Sequence, residues 1–103
     1  MNTLTPTKRQ LLDTILQQAG EVAERYYQAA DTLYQREQEF HEVVGPALKA
    51  AASMSGIKQA DLARATGMPP HSWIKVFTGR AVPLRRKYID AVRLLTGETT
   101  INP

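Results

Sequence analysis

The residues best placed for chemistry fall in residues 70–78, and their types suit hydrogen bonding rather than bond breaking. His71, Ser72 and Lys75 share one side of the helix this stretch would form, opposite Trp73 and Val76. A lysine ammonium donates, a serine hydroxyl donates and accepts, and an imidazole does either according to its tautomer. Such a row on a short helix matches the base-pair edges of a major groove about 12 Å wide. Lys75 can donate to guanine O6 and N7, and Ser72 can serve several bases. Pro70 leads the row with neither an N–H nor a polar side chain, so it offers at most a van der Waals contact to a thymine methyl. Trp73 reads as a core residue ahead of a base-stacking one.

Other chemistries find little support. The 103 residues include no cysteine, which excludes disulfides and thiolate metal sites and fits a reducing cytosol. The two histidines, His41 and His71, form no metal-ligand spacing with carboxylates. There is no nucleophile–base constellation and no phosphate-cradling glycine loop, so an enzyme is not expected, and neither is a cofactor or a metal. No apolar run is long enough to span a membrane, and the N-terminus MNTLTPTKRQ lacks the apolar core of a signal peptide. A cytoplasmic protein of bacterial type, associated with the nucleoid, is the expectation.

The formal net charge is only +3, but it is unevenly spread. Residues 1–45 carry four Lys/Arg against seven Asp/Glu, whereas residues 46–103 carry nine against three. Polyanion binding is therefore expected in the second half.

An all-α chain of five helices would have to position these residues. Thr5 and Pro6 suit a helix start. From there Leu12, Leu16, Ala19, Ala23, Tyr26, Ala30, Leu33, Glu37 and Phe40 alternate steps of four and three, all apolar or aromatic except Glu37. That is the period of a helix–helix seam, widened by Leu11, Ile15, Val22 and Tyr27. One straight helix of ~38 residues would be about 57 Å long, too long to pack wholly against a small domain. It either pairs with a second chain or folds into a hairpin near Gly20 or Asp31. Gly45-Pro46 looks like the clearest boundary, with residues 1–45 as a dimerisation element, 46–97 as the second domain and 98–103 as a tail. Residues 47–54 form a short alanine-rich helix. Gln59 to Ala65 forms the next, with Leu62 and Ala63 inward. Gly67 permits a tight left-handed corner. The helix led by Pro70 stops at Gly79. Pro83 opens a last helix whose face is Leu84, Tyr88, Ala91, Val92 and Leu95, closed by Gly97.

Gln59, Leu62, Ala63, Gly67, Trp73 and Gly79 stand in the register of Gln-x-x-Leu-Ala-x-x-x-Gly, a later apolar residue and a closing glycine. With the flanking helices, residues 46–97 resemble the helix-turn-helix domain of Cro/CI-type (XRE-like) repressors. The resemblance implies a Cro/CI-like fold with residues 70–78 as recognition helix and Pro70, His71, Ser72 and Lys75 as base-reading positions. It implies phosphate contacts at Gln59 and Arg80. Lys58 and Arg64 are further phosphate candidates, while Arg85, Arg86 and Lys87 fit a solvated face and a phosphate contact equally.

The function expected is a sequence-specific transcriptional repressor of the plasmid or phage kind. It would bind an inverted-repeat operator in double-stranded DNA as a homodimer, paired through the seam Leu12, Leu16, Ala19, Ala23, Tyr26, Ala30, Leu33 and Phe40. The alternative is a helical protein–protein adaptor or an antitoxin, whose N-terminal helix binds a partner protein. Pro69-Pro70, where polar residues are usual, leaves that alternative open.

Overall fold

The computed structural model describes residues 6–28 and 33–98, and among these every regular element is a helix. Helix α1 spans Pro6–Gln28 and buries Leu12, Leu16, Ala19, Val22 and Ala23. It passes through Gly20 unbroken. Helix α2 (Leu33–Glu39) then runs back beside it. Arg25 donates from Nε and Nη2 to Glu39 Oε1 at 3.2 and 3.1 Å, and the rings of Tyr26 and Phe40 stand 5.4 Å apart. The hairpin form of the N-terminal region is therefore the one adopted, with α1 and α2 side by side. Asp31 and Ala30 lie outside the described residues, as does the side chain of Leu33.

Gly45-Pro46 is not a boundary. Helix α2 continues through a π-helical turn (Phe40–Val44) directly into α3 (Gly45–Ser55), making one helical rod. Two sequence features account for the wide turn. Phe40, Val44 and Leu48 are all buried, at successive steps of four. In an α-helix of 3.6 residues per turn each such step drifts by about 40°, and a wider turn removes that drift. Pro46 also lacks the N–H that would continue the α-helical ladder, and a shifted ladder accommodates it. The rod makes five helical units in all, with α4 (Gln59–Thr66), α5 (Pro70–Phe77) and α6 (Arg85–Thr96) completing them.

Residues of α1 and α6 share a single apolar core with those between them. It runs from Leu12 and Leu16 through Phe40, Leu48, Leu62 and Trp73 to Ala91 and Leu95. This overturns the seam expected for a second copy. Leu12, Ala19 and Phe40 are fully buried, and Leu16 and Ala23 nearly so, inside their own chain. Tyr26 is half-buried against the same core. A hairpin lets the long apolar stripe close on its own domain, which removes the need for a partner along it.

Two expectations for the last helix also change. Pro83 does not open α6; it is buried in the preceding segment, where its carbonyl accepts a hydrogen bond from Tyr27 Oη at 2.8 Å. Leu84 is 74% exposed and not part of the inward face, which is formed by Tyr88, Ala91, Leu94 and Leu95.

Candidate nucleic-acid interface

Helices α4 and α5 meet at a corner of three residues, Gly67 to Pro69, and the sequence explains its tightness. Gly67 adopts φ 75°, a left-handed conformation that costs glycine little, and its N–H caps Ala63 O at 2.8 Å. Pro69 is extended and Pro70 takes the first helical position, where no N–H is missed. At the other end of α4, Asp61 Oδ2 accepts the Lys58 N–H at 2.9 Å, and Asp61 Oδ1 accepts from Arg64 at 2.7 Å. Those contacts, the backbone one first, hold the Asp61 carboxyl below the usual carboxylate range.

Trp73 locks the corner from inside. Its side chain is fully buried, and its Nε1–H donates to Thr66 Oγ1 at 3.1 Å. The Thr66 hydroxyl in turn donates to Leu62 O at 2.6 Å. With Trp73, Val76 and Phe77 directed to the core, α5 presents its other side outward. The far end of α5 is held by the rod behind it. A Cβ on Gly45 would stand 2.5 Å from Val76 O, so only glycine allows this approach. His41 packs against Gly79, and its Nε2 lies 3.5 Å from Glu37 Oε1.

The outward side of α5 carries exposed Pro70, His71 and Lys75, with Ser72 half-buried beside them. Ile74 joins them at 39% exposure. In the sequence its apolar character reads as core. Its place four after Pro70 and one before Lys75 is the signal that could have found it. The stretch 67–80, which carries Lys75 and Arg80, contains no acidic residue of its own.

The expected phosphate contacts divide. Lys58 and Gln59 are exposed at the start of α4, and Arg86 is exposed on α6. Arg80 is exposed at the end of α5, where its Nε donates to Thr78 Oγ1 at 3.0 Å. Arg64 is exposed but paired with Asp61 within α4. Exposed pairs of that kind exchange partners at little cost. Arg85 pairs with Glu24 of α1 at 2.9 Å and ties α6 to α1, so a phosphate contact there would have to break a link between two elements rather than one within a helix. Lys87 is half-buried and its Nζ donates to the Thr66 carbonyl at the end of α4. A cation there completes a helix C-terminus, so Lys87 braces the corner. Arg85 and Lys87 thus hold elements of the fold together instead of facing a phosphate.

The groups with shifted acidity lie elsewhere. Burial raises Tyr27 well above the ordinary tyrosine range and pushes Tyr88 up to about 12, with Glu24 adding to the latter. Burial and then Glu37 raise Tyr26. These rings pack with Phe40 in the core. Among the described residues no group of three or more His, Cys, Asp or Glu could hold a metal ion. No helix among them is long and apolar enough to cross a membrane. No family model matches the chain, and neither a curated protein nor a solved structure matches it.

Proposed function

We propose that the chain is a sequence-specific double-stranded DNA-binding repressor in which α4, the Gly67 corner and α5 act as a helix-turn-helix. The observation that carries this reading is the outer face of α5. It offers His71, Ser72 and Lys75 on a stretch that has no acidic residue of its own, while the opposite face is consumed by the core. A helix of eight residues is about 12 Å long, which suits insertion into a major groove of similar width. Lys58, Gln59, Arg64, Arg80 and Arg86 would fix its register on the phosphates, and Lys75 would donate to a guanine edge. Blocking a promoter requires only such binding, which is why repression is the proposed outcome.

Two copies would act on an inverted repeat, with half-site centres ~34 Å apart or a multiple of that. Their pairing surface must lie outside the core that occupies the α1 seam.

The test is enrichment of bound sequences from a random duplex pool, followed by binding at several salt concentrations. The expected results are a twofold-symmetric enriched site and a log–log salt slope of about −4 per subunit, from four cationic phosphate contacts. A protein adaptor would enrich nothing and show no salt-dependent duplex binding.

A further inference from the structure

Ile74 has no role in the reading above, yet it sits midway along the outer face of α5 at 39% exposure. The core does not require it, since Trp73, Val76 and Phe77 already supply the buried side. Helix stability does not require it either, because a β-branched side chain is a weaker helix former than many alternatives. Steps of four along a helix align side chains on one row. Pro70 and Ile74 therefore form an apolar row, and His71 and Lys75 form a polar row beside it. Base pairs present one apolar group to the major groove, the 5-methyl of thymine. The acid-free stretch 67–80, with Lys75 next to Ile74 and Arg80 beyond, favours a polyanion over an apolar protein surface as the occupant.

We propose that Ile74, with Pro70 in the same row, recognises a thymine 5-methyl group next to the base pair met by Lys75. This rests on the DNA-binding reading and adds to it a base identity and the atom that is read. Selectivity resides in one methyl group, which sets a clean test. The full-length protein is given its pool-enriched duplex with each thymine replaced in turn by deoxyuridine, which removes only that methyl. At one thymine in each half-site the replacement should weaken binding about fourfold, the equivalent of one buried methyl. Ile74→Ala should bind the thymine and uracil duplexes equally. A wild-type protein indifferent to uracil at every position overturns the proposal, as does an Ile74→Ala variant that keeps the thymine preference. Failure to enrich any duplex is a different result: it removes the DNA-binding reading and this proposal with it.

Discussion

Trp73 Nε1 donates to Thr66 Oγ1 at 3.1 Å, joining α5 to α4 across the corner between them. Both groups are buried, so no water replaces a lost partner. Thr66→Val keeps the shape and leaves the indole N–H unsatisfied, at an expected cost of about 1–3 kcal/mol. Thr66→Ser keeps the hydroxyl and should cost less. Denaturant titration of the two variants checks this; a valine variant as stable as wild type would show that the bond does not hold the corner.

Gly45 and Gly20 both lie in helices but should respond oppositely to alanine. At Gly20 a Cβ meets nothing within 4 Å. Gly20→Ala should therefore stabilise by up to about 1 kcal/mol through helix propensity. At Gly45 the Cβ would collide with the Val76 carbonyl, so Gly45→Ala should lower Tm despite the same propensity gain. It should also displace α5 and weaken any duplex binding. Thermal melts of both variants compare the two directly, and a stabilised Gly45→Ala would contradict the close approach.

Leu12 separates an intramolecular core from an intermolecular seam. Truncating it loses packing in either case, but only the first links it to folding of the isolated chain. Since it is buried within one chain, Leu12→Ala should cost about 2–5 kcal/mol at any protein concentration. A variant that remained folded and merely became monomeric would restore the seam.

The buried tyrosines give an alkaline limb. Tyr88 is raised in the folded chain to about 12, whereas unfolded tyrosine ionises near its ordinary value of about 10. Its contribution to stability is therefore full below pH ~10 and is lost as pH rises through the folded value. Tyr88→Phe should flatten the fall in unfolding free energy between pH ~10 and ~12, and equal slopes for variant and wild type would contradict this.

Much of the architecture was legible in the sequence because it depends on local signals. Gly67 and Pro70 mark the corner, Gly97 ends α6, and the Trp73–Val76–Phe77 spacing identifies the buried side of α5. What was not legible depends on contacts distant in sequence. Gly45-Pro46 carries the local signature of a break, but the Val76 carbonyl explains the glycine and the π-helical turn accommodates the proline. The stripe from Leu12 to Phe40 has the period of a seam whichever surface covers it, and only the hairpin decides that the cover is the chain itself. Arg85 and Lys87 likewise look free in sequence. Their partners, Glu24 and the Thr66 carbonyl, lie 61 and 21 positions away.

Base reading by α5 is decided by Lys75→Ala, measured on the enriched duplex and on random duplex. If α5 reads bases through Lys75, the variant should lose about 1–3 kcal/mol on the enriched site and much less on random DNA. Equal losses on both, or no loss on either, would contradict base reading by this face.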